Sequence, residues 1–144
     1  MKTSQKGIEA IKGHEGVRLE AYDDGTGVWT IGVGHTRGVK PGQRCTEEDA
    51  EKWLKEDLAG AERFVNEVAD AVPLKQCQFD ALVSFVFNLG GTAFRQSTLR
   101  RKVLANADDP SIRGEFLKWI YAGGRPLDGL VNRRKAEADM YFGV

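Results

Sequence analysis

The spacing of apolar positions divides the chain into a short mixed segment followed by a run of helices. Ile8, Ile11 and Glu15 fall at i, i+3 and i+7, on one face of a helix beginning near Ser4. Gly16 ends that helix, and Val17 to Tyr22 alternates as a strand. Asp23-Asp24-Gly25-Thr26-Gly27 then supplies a turn and Val28 to Val33 a return strand, which together predict a β-hairpin. Period-two geometry assigns Trp29, Ile31 and Val33 to one face and Val28, Thr30 and Gly32 to the other. Gly32 and Gly34 would leave room there for a bulky group to approach the backbone. Gly34 to Arg44 reads as a loop or a third short strand.

From Thr46 onward the pattern is helical. Thr46 with Asp49 has the spacing of a capping box, and Ala50, Trp53, Leu54, Leu58, Ala61, Val65 and Val68 keep one apolar stripe, so a long helix is expected over about 46–70. Pro73 marks the next start. Phe79 to Leu89 is apolar nearly all round and reads as the core helix, stopped by Gly90-Gly91. Ser97 caps a segment to about Leu104, Asp109-Pro110 opens another through Trp119, Ile120 and Tyr121 before Gly123-Gly124, and a last helix covers about Gly129 to Phe142. The fold class is therefore α+β, mostly α, with a small antiparallel sheet near the N-terminus. No repeat, linker or biased tract interrupts the chain, and 144 residues fit one domain.

Lysine plus arginine and aspartate plus glutamate both total 21, so no global positive field recruits nucleic acid. Charge is nevertheless uneven: residues 46–70 carry nine acids against three bases, and residues 95–135 ten bases against four acids. That basic stretch is either an ordinary solvated surface or a face turned to a polyanionic polymer. Cys45 and Cys77 have no partner motif and read as free thiols; with only His14 and His35 besides, neither a metal site nor a cofactor is expected. The N-terminal residues form no apolar run, so a signal peptide and a membrane anchor are not expected either, and accumulation in the cytoplasm is.

Candidate chemistry concentrates between Glu15 and Thr36. A carboxyl stands at a helix end, a second carboxylate follows eight intervening residues later at Asp24, and a hydroxyl five beyond that at Thr30. Glu15 is either buried on the Ile8 and Ile11 face, which would raise its pKa, or exposed or paired at the helix end. The aspartates lack the later ligands of an EF-hand.

These residues, with Glu15-Gly-x-Arg-Leu-x-Ala-Tyr-x-Asp24, Thr30-Ile-Gly-x-Gly-His-Thr36, Phe79-Asp-Ala-Leu to Phe87-Asn-Leu-Gly90 and Gly129-Leu-Val-Asn-Arg-Arg-Lys-Ala-Glu137, resemble the phage-type lysozymes, the endolysins of bacteriophages. The resemblance covers nearly the whole chain. It implies a lysozyme-like two-lobed domain over 1–144, with a sheet-bearing lobe at about 1–45, the long helix at about 46–70 and a helical lobe at about 73–144. It also implies hydrolysis of the β-1,4 bond between N-acetylmuramic acid and N-acetylglucosamine of peptidoglycan, in a cleft between the lobes. Glu15 would be the general acid, Asp24 and Thr30 would hold the attacking water or stabilise the cationic sugar, and Arg133 would pair with the glutamate. Asn88 and Gly32 match cleft-lining positions, Tyr22 could contact sugar, and His35 more simply holds the hairpin or stacks in the core. The expected life cycle is that of a monomer without a membrane anchor, held in the host cytoplasm until a holin releases it.

The chemistry agrees with that assignment, since glycoside hydrolysis needs an acid and an opposed carboxylate around an oxocarbenium-like transition state. A threonine cannot replace the second carboxylate, but it can orient a water beside one, which favours inversion. The rivals are a lytic transglycosylase acting on the same bond and a non-catalytic peptidoglycan-binding protein. Asp24 and Thr30 argue against the first, and the complete set of candidate groups against the second.

Overall fold

The computed structural model describes residues Met1–Val144. Its chain forms two compact units, Ile8–Ala59 on one hand and Met1–Gly7 with Gly60–Val144 on the other.

In the first unit, α1 (Gln5–Glu15) ends where Gly16 takes φ 76° and turns the chain out of the helix. β1 (Arg18–Asp23) then pairs antiparallel with β2 (Trp29–Gly32): Arg18 lies opposite Gly32, Tyr22 opposite Thr30 and Asp23 opposite Trp29. Three residues of β1 thus run against one of β2 between the first two of these pairs, a bulge that bends β1. The third strand is reduced to one bridge, Glu20 with Arg44, fixed by Ala21 N donating to Gln43 O at 2.8 Å and Cys45 N to Leu19 O at 2.9 Å.

β2 departs from the one-sided strand that its alternation predicts. Ile31 and Val33 are buried, and so are Thr30 and Gly32 on the opposite face. The reason is α2 (Glu47–Ala69), whose residue Ala50 occupies the space beside Gly32: a Cβ built there would lie 3.2 Å from Ala50 Cβ. The room expected at Gly32 is therefore filled by protein, whereas Gly34 has nothing within 4 Å. The start of α2 is the capping box that its sequence predicts, with Asp49 N donating to Thr46 Oγ1 at 3.1 Å and Thr46 N to Asp49 Oδ2 at 3.2 Å.

The second unit is helical. α3 (Gln76–Leu89) buries every residue from Gln78 to Val86, which makes it the core helix, and it packs along α7 (Asp128–Tyr141). It begins three residues after Pro73, because Lys75 stays extended and Gln78 Oε1 accepts its N–H at 2.9 Å. The polar group Asp80 inside this apolar helix is satisfied by the N-terminal residues: it accepts from Ser4 N at 3.0 Å, from Ser4 Oγ and from Gln76 Nε2 at 2.8 Å. Phe85 anchors the core, with Phe94, Phe116 and Trp119 meeting its ring edge-on at 6.2, 5.8 and 5.6 Å.

Two segments differ from expectation. Gly91 does not simply extend the stop after α3; it opens a short α4 (Gly91–Gln96), and its missing side chain admits the Phe64 ring, 2.2 Å from where a Cβ would stand. Ser97 then caps α5 (Thr98–Ala105), accepting from Arg100 N at 3.0 Å. The helix expected up to Tyr121 stops early as α6 (Ile112–Phe116), and Tyr121–Ala122 (β3) pairs with Arg125–Pro126 (β4) in a second hairpin. Gly123 and Gly124, both at positive φ (59° and 78°), make the two-residue turn that joins adjacent strands without splaying them.

Candidate active site

Glu15 is the last residue of α1 and is exposed. Of its two open readings, burial is excluded: the apolar face closes at Ile11, one turn earlier, and the chain turns away at Gly16.

Asp24 sits in the hairpin turn, also exposed. Its Oδ1 accepts from Thr26 Oγ1 at 2.6 Å, Thr26 N at 2.8 Å and Val28 N at 3.4 Å. The Thr26 hydroxyl, followed by the Thr26 amide, holds the Asp24 carboxyl below its ordinary value, so it is charged through the neutral and mildly acidic range. All of these bonds fall on Oδ1. Asp23 also closes the turn, its Oδ1 accepting from Gly25 N at 2.9 Å and Gly27 N at 3.0 Å. Thr30 is only 4% exposed and donates from Oγ1 to Val28 O at 3.3 Å. Tyr22, its cross-strand partner, is half-buried with the Arg18 guanidinium 4.4 Å from its ring centroid, so one ring face is already used.

His35 is a structural anchor. It stacks on Trp53 at 4.8 Å, its Nδ1 meets Asp57 Oδ2 at 2.8 Å, and its backbone pairs with Ile31 in both directions. The loop after β2 is thereby fastened to α2 one residue from Thr30. Asp57 was not legible as its partner, although Trp53 and Asp57 stand one helical turn apart.

Arg133 is buried in the helical unit, donating from Nε to Glu137 Oε2 at 3.2 Å and from Nη2 to Ser84 O at 3.1 Å. Arg134 is fully buried as well. Its Nε lies 2.8 Å from Glu137 Oε1 without hydrogen-bond alignment, its Nη2 donates to Asn88 Oδ1 at 2.8 Å, and its guanidinium stands 5.3 Å from the Phe85 ring centroid. Asn88 is itself exposed at the end of α3, where it tethers Arg134. Glu137 completes the group by accepting from Ser84 Oγ at 2.5 Å. Burial pushes the Glu137 carboxyl up, against the opposing pull of Arg134, Ser84 and Arg133. Glu137 and Ser84 were not singled out from the sequence. The i+4 and i+3 spacings of Glu137 from Arg133 and Arg134 were the available signal; Ser84 becomes visible only through the packing of α3 on α7.

Glu15, Asp24, Thr30, Tyr22, Gly32 and His35 thus belong to one compact unit, and Arg133 and Asn88 to the other. The Phage lysozyme family model matches residues 12–137. The endolysin of Acyrthosiphon pisum secondary endosymbiont phage 1 is 45% identical over 98% of each chain. Among solved structures, a P22 lysozyme mutant superposes with TM-score 0.90 at 38% identity over 99% of each chain, and the muramidase domain of SpmX from Asticaccaulis excentricus with TM-score 0.88 at 38% identity over 97% of each. With family model, relatives and fold in agreement over nearly its whole length, the chain belongs to the phage lysozyme family and is, as an enzyme, a lysozyme.

Proposed function

We propose that this lysozyme is an endolysin that hydrolyses the β-1,4 bond between N-acetylmuramic acid and N-acetylglucosamine with inversion, and that it lyses the host by doing so. Glu15, standing exposed at the end of α1, is the general acid that protonates the leaving oxygen. Asp24 is the base that orients and deprotonates the attacking water, and Thr30 on the paired strand steadies that water. The observation that carries this reading is the state of Asp24: a carboxylate held charged by Thr26, with its turn bonds all on Oδ1, which leaves Oδ2 for a water. Inversion requires carboxyls roughly 6.5–9.5 Å apart, with water between the base and the sugar.

Arg133 enters as a supporting group through the family resemblance, and Glu137 and Ser84 hold its Nε and Nη2. Tyr22 offers its remaining ring face to sugar. The enzyme is proposed to act as a monomer, stored in the cytoplasm and released by a holin; no helix is long and apolar enough to cross a membrane. Identifying the anomer first released from a peptidoglycan strand tests the scheme. The α-anomer is expected, and initial release of the β-anomer would defeat the inverting mechanism.

A further inference from the structure

We infer that the β3–β4 ribbon is a saccharide-binding surface, with Tyr121 as a stacking platform and Arg125 as a contact to the carboxylates of an anionic aminosugar strand. The inference rests on the peptidoglycan reading above and narrows the basic stretch 95–135, open between solvent and a polyanionic polymer, to one hairpin.

Residues 121–129 are exposed without a break. Every other aromatic residue of the chain is buried or half-buried, with Phe79, Phe85, Phe94, Phe116 and Tyr141 fully buried. Tyr121 is 62% exposed and Leu127 47%. An aromatic left outside on a hydrogen-bonded hairpin is unusual for a surface that touches only water.

The ribbon's backbone is hydrogen-bonded although exposed. Tyr121 pairs with Pro126 and Ala122 with Arg125, Leu127 N extends the ladder by donating to Ile120 O at 3.0 Å, and Gly123 and Gly124 fix the turn. Tyr121 and Pro126, directly opposite, share one face. A tyrosine has only two side-chain torsions to order, so it loses little freedom on binding. The platform is one ring wide, far below the roughly 800 Å² per partner of a protein interface, but it matches the apolar face of a single sugar.

Charge points to an anionic strand. Of the ten bases in residues 95–135, Arg95, Lys102, Arg113, Lys118, Arg133 and Arg134 are ion-paired with acids of the chain. These six bases share four acids, Glu67, Glu115, Glu137 and Asp139, so the basic field expected from sequence is only partly neutralised. Arg125 is exposed and belongs to none of these pairs; opposite Ala122, it stands on the other face of the ribbon from Tyr121, placed to meet the peptides that hang from a strand stacked on that ring. Muramic acid and the peptides attached to it carry the carboxylates that such a group would meet.

Steady-state kinetics on soluble peptidoglycan strands test the inference. Tyr121→Ala should raise KM about three- to tenfold, the range expected of one aromatic contact, with kcat and Tm unchanged, and Tyr121→Trp should restore it. Arg125→Gln should raise KM a few-fold and flatten its dependence on salt. An unchanged KM in Tyr121→Ala, or a KM change accompanied by a lower Tm, overturns the platform; an unchanged salt slope in Arg125→Gln overturns the carboxylate contact. A wild-type enzyme that leaves the strands uncut overturns the peptidoglycan reading instead.

Discussion

Gly32→Ala distinguishes a packing role for this glycine from a substrate-lining one, and its cost can be worked from the structure. Gly32 has φ 66°, a conformation that costs an L-residue roughly 1–2 kcal/mol. The new Cβ would stand 3.2 Å from Ala50 Cβ and 3.3 Å from Ala50 Cα, inside ordinary carbon contact. Ala50 Cα is backbone and cannot rotate away, so a further penalty of about 1–3 kcal/mol for overpacking applies. Removing glycine entropy from the unfolded chain returns roughly 0.4–1 kcal/mol. The net loss is therefore about 1–4.6 kcal/mol, or roughly 2–18 °C in Tm for a chain of this size. Gly34→Ala is the control, because its φ of 69° carries the same backbone penalty with nothing within 4 Å of the new Cβ. Thermal unfolding of both variants, read by circular dichroism beside KM on peptidoglycan, decides the matter. Equal Tm values would refute the Ala50 contact, and a raised KM in Gly32→Ala at unchanged Tm would return Gly32 to the substrate.

Other outcomes follow from the same geometry. Glu137→Gln leaves two buried arginines facing an amide, so it should cost about 3–5 kcal/mol in urea unfolding; Glu67→Gln, which removes the exposed partner of Arg95, should change stability little. Asp24→Asn and Asp23→Asn both keep the Oδ1 acceptor that closes the turn, so both should fold. Asp24→Asn should nonetheless lose roughly 10²–10⁴ in kcat while Asp23→Asn loses little, and the reverse ranking would move the base to Asp23. Since Thr26 lowers the Asp24 pKa and the charged form is the active one, the acid limb of kcat/KM should fall below the ordinary carboxylate range; Thr26→Val should move that limb upward, and an unmoved limb would separate it from Asp24.

The elements that the sequence made legible are those whose cause is local. The Thr46 and Asp49 box, the stripe of α2 and the apolar run of α3 follow from spacing and capping alone. Glu15, Asp24 and Thr30 were singled out by motif spacing, and their roles stand as proposals. The misread features depend on contacts between distant segments: Gly32 is covered by Ala50, Gly91 admits Phe64, and Ser84 meets Glu137 across two helices. The second hairpin was misread for a different reason. Gly123-Gly124 is compatible with a helix stop as well as with a tight turn, and with strands of two residues each there is no alternation to separate them.

The central claim is that an acid at Glu15 cleaves peptidoglycan by adding water, and fragment analysis by mass tests it most directly. Wild-type protein should release muropeptide fragments each heavier by one water per cut, and Glu15→Gln should release them at least about 10²-fold more slowly while keeping its fold. Anhydro products from the wild type, or full activity in Glu15→Gln, would contradict the account.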